Sequence, residues 1–129
     1  KKKALIYYAL SLFMSNCSVV ENEKHEFDLY RRAITYITSH FTENISLSEV
    51  ADFVGVSASH LSRVLNNGCD SSFSDILNAL RIHHAKNLLI ETDISISEAA
   101  YASGYGSLRN FNRIFKKNYG LTPKEMRQQ

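Results

Sequence analysis

Two short segments of the sequence place an arginine in the same apolar–polar–Arg–apolar–apolar order. They are Leu61-Ser62-Arg63-Val64-Leu65 and Phe111-Asn112-Arg113-Ile114-Phe115. On a helix, the apolar positions of such a segment face inward while the arginine and its polar neighbour face outward. A guanidinium can donate two parallel hydrogen bonds to O6 and N7 of guanine, and an asparagine amide can pair with adenine in the same way. The pattern therefore indicates recognition of bases, and the alternative is a solvated helix face.

Other outward residues of the same two segments could contact bases or the phosphates between them. Hydroxyl, amide and ammonium groups are the usual donors to phosphate oxygens. We expect base reading by Ser59, Ser62, Arg63, Arg109, Asn112 and Arg113, and phosphate contacts by Ser57, His60, Asn66, Ser107, Lys116 and Lys117.

A repeated sequence frame precedes each arginine segment. Residues 45–55 read ISLSEVADFVG and residues 94–104 read ISISEAAYASG. In each copy S-x-x-E predicts a capping box at a helix start, and the glycine predicts the helix end. A helix-turn-helix needs a small residue where its helices cross, and Ala51 and Ala100 stand at that place. We therefore predict two helix-turn-helix units, at residues 46–67 and 95–119.

The rest of the chain completes an all-α prediction, because nothing alternates with period two over a useful length. We expect a polar linker over 15–26, an amphipathic helix over 27–41, a linking helix over 72–91 and a short helix opened by Thr122-Pro123. A linking helix of about 18 residues would span about 27 Å, close to the spacing of about 34 Å between successive major grooves.

Composition excludes several classes of protein. The chain has 129 residues, 44% of them hydrophobic, a net charge of +2 and a pI near 8.6, which suits one or two small domains. Residues 107–129 hold six Lys or Arg against one acid, so the basic charge is concentrated there. Cys17 and Cys69 lack any ligand spacing and fit a reducing cytoplasm. Because no Ser-His-Asp order, acid pair or phosphate loop stands out, we expect no enzyme, no cofactor and no metal.

The beginning, KKKALIYYALSLFMSNC, combines three lysines with an apolar run. It resembles a signal peptide in part, but bulky Asn16 precedes the cysteine and the run is too short to span a bilayer. We expect an apolar helix over 1–14 that ends a larger preceding domain. Such a helix must cover its apolar sides, either by pairing with a second copy or by folding back on its own domain. The expected dimer contacts are Leu5, Ile6, Ala9, Leu12 and Phe13.

Residues 27–129 resemble the DNA-binding domain of the AraC/XylS family of bacterial transcription regulators. The similarity rests on Leu47-Ser48-Glu49-Val50-Ala51, Gly55-Val56-Ser57, Leu61-Ser62-Arg63, Leu80-Arg81-Ile82 and the string G-Y…F-x-R-x-F-K-K…G-x-T-P-x-E over 104–125. The resemblance implies a cytoplasmic transcription regulator that binds duplex DNA. Activation is favoured but repression stays open, and RNA polymerase is a candidate protein partner. It also implies a sensing domain ahead of residue 15, where any effector would bind.

Three features depart from the family pattern. Asn66-Asn67-Gly68 replaces a lysine-rich helix end, so we expect the first recognition helix to stop early. Leu108 stands where a base-reading polar residue is usual, and Ala58 is short. The competing interpretation is a helical protein–protein module that uses the surfaces of Phe41, Tyr101 and Tyr105.

Overall fold

The computed structural model describes residues 21–129, with side chains from Lys24 onward. Over these residues the chain is helical and contains no strand, which confirms the all-α prediction. The helices are α1 (Glu21–His40), α2 (Leu47–Val54), α3 (Ala58–Cys69), α4 (Phe73–Glu91), α5 (Ile96–Ala102), α6 (Leu108–Tyr119) and α7 (Pro123–Arg127). The described residues form two compact units: unit 1 comprises 21–40 and 45–77, and unit 2 comprises 41–44 and 78–129.

The first helix starts earlier than its hydrophobic pattern predicts. We expected the helix to begin at Phe27, after a linker, but α1 begins at Glu21. Residues 21–26 are therefore helical, while residues 15–20 lie outside the described part of the chain. Glutamate and lysine are good helix formers, and a helix turn exposed to water needs no apolar stripe. Lys24 and His25 are exposed, so periodicity could not identify this turn.

Unit 1 is built by α1, α2 and α3, each of which contacts the other two. The Ser46 hydroxyl accepts a hydrogen bond from the Glu49 backbone N–H at 3.2 Å and starts α2. Gly55 ends α2 in the left-handed conformation, with φ of +83°. Ala51 is 1% exposed, which agrees with its predicted place at the helix crossing. The buried side chains of α1 are Leu29, Tyr30, Ala33, Ile34, Ile37 and Thr38.

Unit 2 contains the second copy of the frame. The Ser95 hydroxyl accepts from the Glu98 N–H at 3.0 Å, and the Glu98 carboxylate accepts from the Ser95 N–H at 3.4 Å. The capping box is therefore complete in α5, whereas only the serine half forms in α2. Ala100 is fully buried, as predicted. The core of this unit is formed by Ile82, Ala85, Leu89, Ala99, Ala100, Tyr105, Phe111, Ile114 and Phe115.

A half-buried arginine, Arg81, holds the segment 41–44 within unit 2. The Arg81 Nε–H donates to the Phe41 carbonyl at 2.7 Å, and its Nη2 donates to the Glu43 carbonyl at 2.8 Å. Burial lowers the pKa of Arg81. Gly104, with φ of +103°, lies against this arrangement: a Cβ at Gly104 would be 2.7 Å from Arg81 Nε and 2.9 Å from the Phe41 oxygen. The second turn therefore needs glycine for space as well as for conformation.

Candidate DNA interface

The second helix of unit 1, α3, exposes one side and buries the other. The Ser57 hydroxyl accepts from the His60 N–H at 3.1 Å and caps the helix. Its inner side is buried through Leu61, Val64, Leu65 and Gly68. This burial fixes the rotation of α3, because residues three and four apart share one face. The outward side is therefore the one that carries the predicted site residues.

Of the residues predicted to read bases from α3, Ser59 and Arg63 are exposed and Ser62 is half-buried. Arg63 Nη2 lies 3.4 Å from His60 Nδ1, one turn earlier on the same helix. Asn66 is exposed, and its Nδ2 donates to the Ser62 carbonyl at 3.0 Å. All five side chains belong to one helix, so α3 brings the predicted set of unit 1 together.

The expectation that α3 stops early was wrong. The helix continues through Asn66, Asn67 and Gly68 to Cys69. It ends at Asp70, which adopts the left-handed conformation with φ of +53°. Gly68 is buried inside the helix, so packing at that position compensates for its low helix propensity. The missing lysines change the charge of the helix end without shortening the helix.

The corresponding helix of unit 2, α6, follows the same plan with a stronger basic character. The Ser107 hydroxyl caps α6 by accepting from the Asn110 N–H at 3.2 Å. The buried residues are Phe111, Ile114 and Phe115. The outward side is exposed and holds Arg109, Asn112, Arg113, Lys116 and Lys117, which are the residues predicted for unit 2.

These cations are available to an anionic ligand. Among the described residues, no carboxylate oxygen lies within 4 Å of the charged nitrogens of Arg109, Arg113, Lys116 or Lys117 in α6. Lys116 does lower the pKa of the Glu125 carboxyl, as a minor influence beside the bonds from Thr122. An uncompensated cationic helix face attracts a polyanion such as the DNA backbone.

The structure also identifies Asn110, which the sequence prediction missed. Arg113 Nη2 donates to Asn110 Oδ1 at 2.7 Å, and Asn110 is exposed. The sequence did contain a signal for this contact, because Asn110 precedes Arg113 by three residues as His60 precedes Arg63. Residues at that spacing lie on the same side of a helix. His60 was predicted to bind phosphate, but its imidazole is half-buried and faces Arg63.

The two capping serines retain a donor. The hydroxyl oxygens of Ser57 and Ser107 accept backbone hydrogen bonds at the starts of α3 and α6. Their O–H groups can still donate, since a hydroxyl is both donor and acceptor. Both residues are exposed.

Two of the three aromatic residues assigned to the competing interaction module are buried. Phe41 is 5% exposed and Tyr105 4%, while Tyr101 is 55% exposed. Phe41 packs edge-on against His84, and Tyr105 packs against Phe111. The prediction of that interaction surface was wrong, because the rings of Phe41 and Tyr105 are buried within unit 2. The predicted dimer contacts Leu5, Ile6, Ala9, Leu12 and Phe13 lie outside the described residues.

Other site types find no support in the described range. Among residues 24–129, no three His, Cys, Asp or Glu side chains group together as metal ligands. In that same part of the chain, every helix is too short or too polar to cross a lipid bilayer.

Comparison with known proteins assigns the fold to a family. The model of a helix-turn-helix domain family matches residues 50–129. An uncharacterized HTH-type transcriptional regulator of Staphylococcus aureus (strain MSSA476) is 37% identical over 123 residues, which are 95% of this chain and 16% of that protein. The chain thus spans about a sixth of the length of this relative.

Solved structures agree with the family model. The C-terminal domain of AraT, a response regulator from Geobacillus stearothermophilus, is 36% identical with a TM-score of 0.74, over 78% of this chain and 84% of that one. A Chromobacterium violaceum transcriptional regulator described as having an AraC-type DNA-binding domain is 25% identical with a TM-score of 0.74, over 85% and 96% of the two chains.

Two capped helix pairs with outward arginines define a DNA-binding domain of the double helix-turn-helix class. The chain belongs to the AraC-type helix-turn-helix family, whose members are DNA-binding domains of bacterial transcription regulators and not enzymes. The resemblance read from the sequence is confirmed.

Proposed function

We propose that α3 and α6 are recognition helices that read one DNA site through Arg63 and Arg113. The observation that carries this proposal is their matched placement. Each arginine is the sixth residue of a serine-capped helix, exposed, and opposite the buried side. Recognition helices contact base edges mainly with the residues of their N-terminal half. Arginine there can pair bidentately with guanine.

The remaining predicted residues take roles that suit their chemistry. Ser62 and Asn112 directly precede the arginines and can reach neighbouring bases, as can Ser59 and Arg109 one turn earlier. Residues near the helix starts and ends face the DNA backbone when the helix lies in the major groove. We assign phosphate contacts to Ser57, Asn66, Ser107, Lys116 and Lys117.

The two helices would occupy successive major grooves. The helix α4 has 19 residues, which at about 1.5 Å each give a length of about 28 Å. Its first residues belong to unit 1 and its later residues to unit 2. Major grooves repeat every 34 Å or so on one face of DNA, so the proposal assigns one of two successive grooves to each unit.

The proposed biological role is transcription activation in the bacterial cytoplasm, through contact with RNA polymerase. An exposed patch of unit 1 supports a protein contact of this kind. Phe53 is 59% exposed and packs against Tyr36, with ring centroids 4.6 Å apart. Exposed Glu49 and Asp52 lie on the same helix, α2. An aromatic ring beside acids is a suitable anchor for a basic protein surface.

Alanine variants of the two arginines test the DNA-reading proposal. Arg63→Ala and Arg113→Ala should each lower the affinity for a preferred duplex by about 1–3 kcal/mol and relax the preference at a few base pairs. Lys116→Ala is the matched control: it should weaken all sequences about equally and reduce the salt dependence of binding. Fluorescence anisotropy with specific and scrambled duplexes measures both effects. Unchanged affinity and preference in both arginine variants would contradict the proposal.

A promoter fusion tests the direction of regulation. Phe53→Ser should leave DNA affinity unchanged and lower reporter expression, because it removes the exposed ring without touching α3. A reporter that rises when the intact gene is deleted would instead identify a repressor.

The homodimer remains a separate part of this proposal. It rests on the sequence pattern alone. On a helix, the apolar residues of the segment 4–14 would cover most of its circumference, and the expected dimer contacts among them are Leu5, Ile6, Ala9, Leu12 and Phe13. The shortened chain for comparison should start at Glu21, because it then keeps every described residue of α1. Sedimentation at micromolar concentration should give a dimer for the present chain and a monomer for the shortened one. Monomers in both cases would exclude this dimer contact.

A further inference from the structure

The third residue of each recognition helix lies beside the arginine that follows it. In α6, Asn110 Oδ1 accepts a hydrogen bond from Arg113 Nη2 at 2.7 Å. In α3, His60 Nδ1 lies 3.4 Å from Arg63 Nη2. The spacing is i and i+3 in both helices, so the two pairs are structural equivalents. One contact is short, and the other lies near the limit of a hydrogen bond.

The two acceptors also differ in chemistry. An amide carbonyl always accepts, whereas a neutral imidazole accepts at Nδ1 only when its proton is on Nε2. The Asn110 bond consequently depends on no tautomer, whereas the His60 contact forms in one tautomer of the imidazole. Arg113 is the more firmly held of the two arginines.

We propose that Asn110 is a positioning residue that orients Arg113 before DNA binds and thereby sharpens base discrimination by unit 2. An exposed arginine samples many rotamers, and binding must select one of them. A guanidinium already held by Asn110 loses less conformational entropy when it meets the base. The inference rests on the proposed base-reading role of Arg113.

The bond to Asn110 leaves Arg113 with enough donors to contact a base. A guanidinium has five N–H donors, and a bidentate contact with guanine uses two of them. The bond to Asn110 uses one donor of Nη2, so enough donors remain. Asn110 is an exposed residue, and its Nδ2 group keeps its own donors for a neighbouring acceptor. His60 is the weaker counterpart of Asn110 and leaves Arg63 more adaptable.

Discrimination at individual base pairs tests the inference. Selection from randomised duplex DNA with the 129-residue chain first gives a preferred duplex. Single base-pair changes then identify which positions lose their preference in Arg113→Ala and in Arg63→Ala. In Asn110→Ala, discrimination should fall by about three- to tenfold at the Arg113 positions alone, because more arginine rotamers become available.

Two further variants make the comparison specific. His60→Ala should change discrimination at the Arg63 positions by less than about threefold, because the contact it removes is long. Asn110→Asp keeps an acceptor, so it should preserve discrimination while total affinity falls with the added negative charge. Helix α6 should stay folded in the Asn110 variants, since Ser107 caps it through the backbone N–H of residue 110.

The outcomes separate this inference from the proposed function. If Arg113→Ala alters no position, the base-reading role of Arg113 fails and the inference fails with it. If Arg113→Ala alters defined positions but Asn110→Ala leaves them unchanged, or weakens all sequences equally, only the positioning role is overturned. Loss of discrimination in Asn110→Ala together with its retention in Asn110→Asp is the supporting result.

Discussion

The two copies of the frame I-S-x-S-E-x-A-x-x-x-G build the same helix pair in different surroundings. In unit 1 the glycine, Gly55, ends α2 in open space, with no heavy atom within 4 Å of a Cβ built there. In unit 2 the helix ends two residues before Gly104, which presses against Arg81 and Phe41. The shared glycine therefore serves conformation in both copies, and in unit 2 it also allows close packing. Equal sequence signals do not imply equal structural roles.

The recognition helices differ as much as the turns. Both α3 and α6 have 12 residues, and neither contains an acid. With histidine neutral, α3 carries +1, from Arg63, and α6 carries +4, from Arg109, Arg113, Lys116 and Lys117. Because phosphate contacts dominate DNA affinity, unit 2 should supply most of the electrostatic binding. Under the proposed function, unit 1 would contribute mainly through direct contacts of Ser62 and Arg63 with bases.

The largest expected difference between the two units is the loss of stability when alanine replaces Gly55 or Gly104. Alanine at either position is strained by its positive φ, at about 1–2 kcal/mol. Gly104→Ala adds a collision with the Phe41 carbonyl and Arg81, which costs about 1–3 kcal/mol more, so its total cost should be about 2–5 kcal/mol. Urea unfolding of both variants measures the gap. Equal losses in Gly55→Ala and Gly104→Ala would show that the close approach at Gly104 is absent in solution.

The buried tyrosines of the two units should respond in opposite directions. In unit 1, burial and a hydrogen bond with Cys69 raise the pKa of Tyr30. In unit 2, burial raises the pKa of Tyr105 to about 12, and its hydroxyl has no hydrogen-bond partner. Removing a bonded hydroxyl should cost Tyr30→Phe about 0.5–1.5 kcal/mol, whereas Tyr105→Phe should be neutral or stabilising by about 1 kcal/mol.

Thermal unfolding of the two tyrosine variants at neutral pH provides the measurement. Because burial keeps both hydroxyls neutral in the folded protein, the contribution of these two tyrosines to stability should be constant below pH 10 or so and fall above it. A clear destabilisation by Tyr105→Phe would mean that the hydroxyl has a partner after all.

The smallest expected difference lies in the two caps. Glu98 completes its capping box through a bond of 3.4 Å to the Ser95 N–H, and Glu49 makes no such bond to Ser46. Glu98→Gln should retain most of the cap, while Glu98→Ala should cost about 0.5 kcal/mol more than Glu49→Ala. Chemical denaturation resolves this gap if the variants are measured side by side. A greater loss of stability in Glu49→Ala than in Glu98→Ala would show that the complete capping box belongs to α2 and not to α5.

Much of the fold followed from patterns in the sequence. Serine caps, the small residues Ala51 and Ala100, and apolar residues three and four apart located the helices of both units. The patterns failed where no apolar stripe exists, as at residues 21–26, and where packing outweighs propensity, as at Gly68. They also missed that Phe41 and Tyr105 are core residues of unit 2, since that depends on contacts between distant segments.

The candidate site was predicted less completely than the fold. The outward faces of α3 and α6 followed from helical spacing. Ten of the twelve predicted residues are exposed, Ser62 and His60 are half-buried, and the contacts of all twelve with DNA stay a prediction. Spacing alone could not show that Asn110 holds Arg113, because that depends on side-chain rotamers. Nor could it show that His60 turns toward Arg63 instead of pointing straight outward.

The most direct test of the account is hydroxyl-radical footprinting of the DNA upstream of the gene for this protein. Two matched recognition helices in successive major grooves predict two protected segments on one face of the duplex, centred about 10 base pairs apart. Arg63→Ala should weaken protection of one segment and Arg113→Ala protection of the other. A single protected segment that both variants weaken equally would contradict the assignment of one groove to each unit.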